Sequence, residues 1–283
     1  MNIAIFGGSF DPPHNGHNEI IKKVLNTLDI DRLFIVPTFI NPFKNSFFAP
    51  PNLRLEWIKT LWANLEKVEI FDYEIRQNRA VATIETVLQI HKTYEISNLF
   101  LIIGADNLEN LEKWHRFDEL KKLVKFVVAT RDAIKVPLNL QKINLNVNIS
   151  STKIRNGNFT GIPNLIKNDV IQFYKRKKMN NRVENIAKIL EDKKSENVEV
   201  IDMSGGEYIA KFVVIATTLT GRHALSLVDD LKKSLKGEEF LSIENSDDWT
   251  VIDLGDIIIH LMSQSYRDRY NIEDFLSKLK KIY

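Results

Sequence analysis

Apolar residues in the first 130 positions fall into short unbroken runs, each followed by a stretch in which they recur every three or four residues. The runs are Ile3–Phe6, Leu33–Val36, Leu99–Ile103 and Phe126–Ala129. Between the first two, Ile20, Ile21, Val24, Leu25 and Leu28 mark a helix that begins near Gly16. Helical spacing also covers about Asn52–Leu65 and Thr83–Tyr94, with a short helix after Ile103, and a further strand is expected near Val68–Ile75. Strands apolar on both faces and separated by helices indicate a parallel sheet covered on both sides. The predicted architecture is therefore an α/β, Rossmann-like domain whose ligands bind at the carboxyl ends of the strands.

The pattern changes after Tyr174. A basic run, Lys175-Arg176-Lys177-Lys178, precedes Met179 and reads as a solvated linker or helix end. It places a junction near 178–182 and predicts two domains, 1–178 and 179–283. In the second, a helix carries Val183, Ile186, Ala187, Ile189 and Leu190. Strand-like Val198–Ile201 and Phe212–Ala216 follow, then a helix from about Arg222 to Leu235. Strand-like Trp249–Leu254 and Ile257–Leu261 and a final helix from Ile272 to Ile282 complete a smaller α/β unit. About 100 residues suffice for such a unit to fold alone.

A chain of 283 residues with 44% hydrophobic and 27% charged content suits an ordinary two-domain globular protein. The absence of cysteine excludes disulfides, thiol catalysis and zinc–thiolate sites and suits a reducing compartment. No apolar run approaches the ~18 residues that span a membrane. The start, MNIAIFGG, has no basic region ahead of an apolar one, so a cytoplasmic location is expected. Net charge of +2 hides an asymmetry: residues 1–178 carry 25 Lys and Arg against 18 Asp and Glu, the remainder 14 against 19. A basic first half suits a phosphate-rich ligand, whereas an acidic second half argues against nucleic acid, DNA included, as its partner.

The densest chemistry lies at Gly7-Gly8-Ser9-Phe10-Asp11-Pro12-Pro13-His14-Asn15-Gly16-His17. Two glycines after a strand predict a tight turn, and the prolines predict an extended path into the helix. A strand, a glycine turn and a helix N-terminus together favour an anion, through unpaired amides and the helix dipole. His14 and His17, three residues apart, can both face that turn. The stretch is neither a P-loop nor a dinucleotide fingerprint. It resembles the GG[ST]FDPxHxGH signature of nucleotidylyltransferases, and within them bacterial nicotinate-nucleotide adenylyltransferases.

Four later segments continue that resemblance in order. Pro37 to Lys44 is similar to the family's P-x-x-x-x-P-x-K segment, whose lysine lies near the phosphates. Ala82-Thr83-Ile84-Glu85-Thr86 is similar to the segment usually reading SYT, which implies that Thr83 holds the nicotinate end; Val81-Ala82 replaces Ser-Tyr. Thr83 is also a good N-cap for its helix. Gly104-Ala105-Asp106-x-Leu108 and Lys113-Trp114-His115 resemble the GADxL and KW[YH] pair. Asp106 then sits where a ribose hydroxyl or a magnesium-bound phosphate is held, and Trp114 offers a face for a pyridine ring. Ile149-Ser150-Ser151-Thr152-x-Ile154-Arg155 resembles the ISSTxIR helix that grips ATP phosphates.

The resemblance covers about residues 1–176 and implies adenylyl transfer from ATP to nicotinate mononucleotide, giving deamido-NAD and pyrophosphate. It assigns His14, His17 and Arg155 to catalysis. It assigns Gly7, Gly8, Ser9, Phe10, Lys44, Gly104, Asp106, Ser151 and Thr152 to ATP and its phosphates, and Thr83 and Trp114 to the mononucleotide. Magnesium arrives with ATP, and no separate protein metal site is expected. Another transferase of the superfamily, acting on pantetheine phosphate or an alcohol phosphate, would share the N-terminal motif without needing Trp114.

In the second half, Phe212-Val213-Val214-Ile215-Ala216-Thr217-Thr218-x-x-x-Arg222-His223-Ala224 is similar to VIATGxSxRH, with Thr218 in place of the usual glycine. Trp249–His260 is similar to WVLLDxGDVVVH, and Tyr266–Glu273 to R-x-x-Y-x-L-E. Together they resemble the ribosomal silencing factor (Iojap-related) family. That implies binding to the large ribosomal subunit through a ribosomal protein, blocking subunit joining, with Trp249, Tyr266 and Tyr270 as candidate anchors. His223, His260, Asp253 and Asp256 carry no metal-ligand spacing, and Asp253-Leu254-Gly255-Asp256 suits a hairpin turn. A contrasting reading makes the whole chain a ribosome-associated binding protein with a relic enzyme domain.

Overall fold

The computed structural model describes every residue except 132–135, 139, 146–148, 207 and 282–283, and only the backbone of Arg131, Lys280 and Lys281. It divides into two compact units, Met1–Tyr174 and Lys175–Tyr283.

In the first unit, β1 (Asn2–Gly8), β2 (Arg32–Pro37), β3 (Val68–Ile70), β4 (Asn98–Gly104), β5 (Lys125–Arg131) and β6 (Gln141–Leu145) form one sheet. All pairings are parallel and the order is β3-β2-β1-β4-β5-β6. The helices are α1 (Asn15–Thr27), α2 (Pro51–Trp62), α3 (Tyr73–Arg76), α4 (Thr83–Thr93), α5 (Phe117–Leu123) and α6 (Ser151–Arg155). Side chains alternate across a strand, so β1 serves both layers. Ala4 and Phe6 pack with Ile20, Val24, Ile58 and Trp62, while Ile3 and Ile5 pack with Ile84, Val87, Ile90 and Leu120. This is the α/β, Rossmann-like arrangement that unbroken apolar strands require.

Several local expectations change. The strand expected over Val68–Ile75 stops at Ile70, and Tyr73–Arg76 forms a helical turn that carries Glu74 and Ile75 inward. β6 has no unbroken apolar run, because only Ile143 and Leu145 of this edge strand face the core. Gly7 and Gly8 do not make a turn but complete β1; the left-handed residue is Phe10, at φ 47°. The Asp11–Pro12 peptide is cis, and His14, at φ −150° and ψ 171°, is extended where the chain enters α1.

Helix α7 spans Lys167–Asp192, and the division between the units falls within it. No glycine or proline interrupts this segment, so the basic run 175–178, at the boundary between the units, is helical.

In the second unit, β7 (Glu196–Asp202), β8 (Phe212–Thr218), β9 (Ser242–Asn245), β10 (Trp249–Asp253) and β11 (Ile257–Ser263) are ordered β7-β8-β11-β10-β9. Only β8 and β11 are parallel. Helices α8 (Gly221–Ser234), α9 (Gln264–Tyr270) and α10 (Ile272–Lys281) accompany this sheet; Ile282, the expected end of the last helix, lies outside the described residues. Val214, Ala216, Ile259 and Leu261 pack on α8 and on Val183, Ile186 and Leu190. Val213, Ile215 and Met262 pack on Leu276 from the other face. Thr218 is buried in β8, and the turn's need for glycine falls at Gly221, where a Cβ would lie 2.8 Å from the Asp247 carbonyl. Among the described residues no helix is long and apolar enough to cross a membrane.

Candidate active site

β1 pairs with β2 on one side and β4 on the other, so the sheet order reverses direction between β1 and β4. The carboxyl ends of strands at such a reversal leave a crevice for ligands. Gly7 and Gly8 end β1 and Gly104 ends β4, and these three line two adjoining cavities of about 450 and 260 Å³.

The larger cavity contains the histidines. His14 is the N-cap of α1, and its Nδ1 accepts the Gly16 N–H at 3.1 Å. His17 Nδ1 accepts the His14 N–H, also at 3.1 Å. Each ring thus satisfies an orphan donor of the helix start, and in each neutral ring the proton sits on Nε2. The rings stack 3.7 Å apart at 18°, with Phe10 edge-on to His17 at 5.0 Å. Gly16 makes this possible, since a Cβ there would lie 3.0 Å from two atoms of the His14 ring. Gly8 makes room for the Phe10 ring in the same way, at 3.2 Å. We expect Gly16→Ala to displace the His14 ring and lower turnover by about tenfold while leaving the melting temperature nearly unchanged. Steady-state turnover read alongside thermal melting checks this.

Phe10, Gly104, Asp106 and Ser151 share this wall with His14 and His17. Asp106 Oδ1 lies so close to Gly104 that any Cβ there would meet it at 2.3 Å. The smaller cavity is lined by Thr83, Trp114 and Glu74 as well as by Asp106. Thr83 does not cap α4; Ala82 holds that position, and the Glu85 carboxylate accepts the Ala82 N–H at 3.1 Å. The Thr83 side chain is thereby left to the cavity wall.

Ser9, Lys44 and Arg155 line a third cavity of about 300 Å³, not the one with the histidines. Arg155 Nη1 donates to the Asp11 carbonyl at 2.6 Å and Nη2 to Thr152 Oγ1 at 2.8 Å, and its guanidinium lies over the Phe48 ring. Thr152 therefore reaches this region through Arg155.

Sequence reasoning passed over the brace beneath these loops. Arg54 is buried in α2 and donates through Nε to Ala49 O, through Nη1 to Ser9 O, and through Nη2 to Thr38 O and Phe39 O. Asp11 accepts the N–H groups of Phe48 and Ala49 and the Tyr174 hydroxyl. Burial pulls the Arg54 guanidinium below its usual value against the opposing pull of Asp11, and burial together with Asp11 pushes the Tyr174 hydroxyl up. The spacing Arg54, Trp57, Ile58, Trp62 puts the arginine on the buried face of its helix, the one signal that it is internal. Glu74 was also missed: burial pushes its carboxyl up to about 7, and Thr86 Oγ1 donates to it at 2.7 Å.

In the second unit Trp249, Tyr266 and Tyr270 form one cluster, with Tyr270 5.4 Å from Trp249 and 5.5 Å from Tyr266. Only Tyr270 is exposed, while the other two also pack on the core. Trp249 Nε1 donates to His260 Nδ1 at 3.1 Å, and burial holds this histidine down to about 4. His223 is spent on Leu219 N–H and Lys193 O, and Asp256 on Arg182. Asp253 closes the hairpin turn by accepting the Gly255 N–H at 2.6 Å. The Arg and Glu of the Tyr266–Glu273 segment are a buried brace, with Arg267 donating to Glu273, Glu199, Thr217 and Asn197 O.

Comparison with known proteins agrees with this division. Residues 5–157 match the cytidylyltransferase-like family model, and residues 176–282 match the model described as ribosomal silencing factor during starvation. A probable nicotinate-nucleotide adenylyltransferase of Campylobacter fetus subsp. fetus is 59% identical over 178 residues, covering 62% of this chain and 98% of the relative. Another, from Nitratiruptor sp., is 47% identical over 176 residues, covering 62% and 99%. Among solved structures, a Plasmodium falciparum nicotinic acid mononucleotide adenylyltransferase complexed with NaAD is 20% identical, covers 62% of this chain and 95% of its own, and has a TM-score of 0.47. The chain belongs to the cytidylyltransferase-like family through its first unit and carries a ribosomal silencing factor domain in its second.

Proposed function

We propose that the first unit transfers an adenylyl group from ATP to nicotinate mononucleotide, releasing pyrophosphate and forming deamido-NAD for NAD biosynthesis. The observation that carries this reading is the pair of cavities joined across Gly7, Gly8, Gly104 and Asp106, one holding the stacked histidines and the other Thr83 and Trp114. In the reaction the phosphate oxygen of the mononucleotide bonds to the α-phosphorus of ATP as the bond to the bridging oxygen breaks, and pyrophosphate leaves with that electron pair. No protein nucleophile takes part, so catalysis is positioning and charge stabilisation. The Nε2–H donors of His14 and His17 serve the charge that develops on the ATP phosphates. Lys44 from its loop and Arg155 from the end of α6 add positive charge, and Ser9, Ser151 and Thr152 supply polar contacts.

Magnesium fits this site as a companion of ATP. Asp106 is the carboxylate in the wall that would meet a phosphate-bound cation. The ion's chemistry there would be neutralisation of phosphate charge. The second unit binds the large ribosomal subunit through a ribosomal protein and hinders subunit joining, with Tyr270 as the exposed member of its aromatic cluster. Both roles belong to the cytoplasm.

The test is magnesium-dependent pyrophosphate release from ATP, with nicotinate mononucleotide, nicotinamide mononucleotide and pantetheine phosphate offered side by side. Release chiefly with nicotinate mononucleotide is the expected result. Release chiefly with pantetheine phosphate would move the chain to another branch of the superfamily. No release with any substrate, together with co-sedimentation of the chain with ribosomes, would leave a binding protein only.

A further inference from the structure

Glu74 has no role in the mechanism above, yet it lies in the wall of the cavity that holds Thr83 and Trp114. The residue is 6% exposed, and its carboxyl forms no ion pair with any described Lys or Arg. Its hydrogen-bond partner is Thr86 on α4, one turn beyond Thr83, whose hydroxyl donates to Oε1 at 2.7 Å. Val81 and Val87 line the same cavity. A carboxylate so placed, with one hydrogen bond and no cation, is expensive to keep ionised, and protonation is the cheaper answer. The raised value near 7 agrees with this, burial being its main cause. The neighbouring titratable groups do not reverse it. Glu85 on α4 adds negative charge and is itself bound by Arg79 at 2.6 Å, while Asp106 and His115 complete the ionisable groups of the cavity.

Resting on the adenylyl-transfer reading, we propose that Glu74 distinguishes the substituent on the pyridine ring of the mononucleotide, its protonated carboxyl donating to a ring carboxylate. A carboxylate offers only acceptors, and an O–H donor against it makes a short, strong hydrogen bond. Nicotinate mononucleotide therefore binds the protonated form of the protein. Where Glu74 is ionised in the free protein, binding must take up one proton from solvent. A ring carboxamide pairs with either form, because its C=O can accept from the protonated carboxyl and its NH2 can donate to the ionised carboxylate. The structure thus links preference for the acid over the amide to pH. Glu74 is a specificity residue, not one that touches the reacting phosphates.

The sign follows from the raised value. Below about pH 7 Glu74 is protonated and the preference for the acid is complete; above it, the preference falls by about tenfold per pH unit until the ionised form dominates both states. The experiment uses the full chain and measures kcat/KM for nicotinate mononucleotide from pH 6 to 9 at saturating ATP. Nicotinamide mononucleotide is measured in parallel, as a substrate or through its inhibition constant. Because both carry the same titrating phosphate, their ratio isolates the ring substituent. The expected ratio declines above about pH 7 in the wild type and is flat in Glu74→Gln. Thr86→Val removes a donor that favours the ionised form and shifts the break to higher pH. A folded Glu74→Gln protein that keeps the wild-type break overturns the proposal. If Glu74→Gln does not fold, an unmoved break in Thr86→Val overturns it instead. A wild type that releases pyrophosphate with neither mononucleotide would overturn the reading underneath, which is a distinguishable failure.

Discussion

Replacing His17 with alanine is expected to lower turnover by about three orders of magnitude while the first unit remains folded. The expectation rests on how the ring is held. Its Nδ1 is committed to the His14 N–H at the start of α1, so a neutral ring carries its proton on Nε2, in the wall of the 450 Å³ cavity. A donor held in place before the reaction costs no reorganisation when phosphate charge develops, and removing one such donor typically costs 10²- to 10³-fold in rate. The stability cost is smaller, about 1 kcal/mol for the orphaned N–H. His17→Asn refines the test, because its side-chain oxygen can still accept that N–H while the Nε2 donor is lost. Pyrophosphate release read beside a thermal melt separates the two effects. Near-wild-type turnover in a folded His17→Ala protein would remove the role assigned to this residue.

Arg54→Met should destabilise the first unit by about 3–5 kcal/mol, since removing one partner leaves buried polar groups and the Asp11 charge uncompensated. That is a large share of the ~5–15 kcal/mol by which most domains are stable. The arginine binds the carbonyls of Ser9, Thr38, Phe39 and Ala49, which lie in the loops that border the histidine cavity and the cavity with Lys44. Arg54→Lys restores the charge but not the planar fork that reaches four carbonyls, so it should recover only part of the loss. Urea unfolding followed through a first-unit tryptophan measures both variants. A cost below 1 kcal/mol would mean that these loops hold their shape without the brace.

The sheet of the first unit was legible because its central strands are buried on both faces and therefore apolar at every position. β6 escaped notice for the opposite reason: with only Ile143 and Leu145 inward, its composition is that of a loop. In the second unit β9, Ser242–Asn245, is polar and outermost, and α9 is too short to establish a period. The glycine–histidine motif was legible as a unit, but the division of labour within it was not. Gly8 and Gly16 look like flexible links in sequence and are in fact the spaces that Phe10 and His14 fill. Glu74 could not be singled out, since what distinguishes it is the burial supplied by residues elsewhere in the chain. The Arg267–Glu273 pair shows the same limit: as text it belongs to a recognition motif, and in space it ties α9 and α10 to β7 and β8.

The bond between Asp11 and Tyr174 spans 163 residues, nearly the whole first unit. During synthesis at about 5–20 residues per second, Asp11 waits roughly 10–30 s for that hydroxyl to be made. β1 likewise waits for β4, its partner 96 positions later, before its second edge is covered. The nascent chain therefore carries the loop between β1 and α1 unsealed until the start of α7 is translated, and the tyrosine that closes it sits at the last position before the second unit begins. Ribosomes that stall before Tyr174 should display a first unit with most of its sheet and no locked active-site loop, a state readable by protease sensitivity between Phe39 and Ala49.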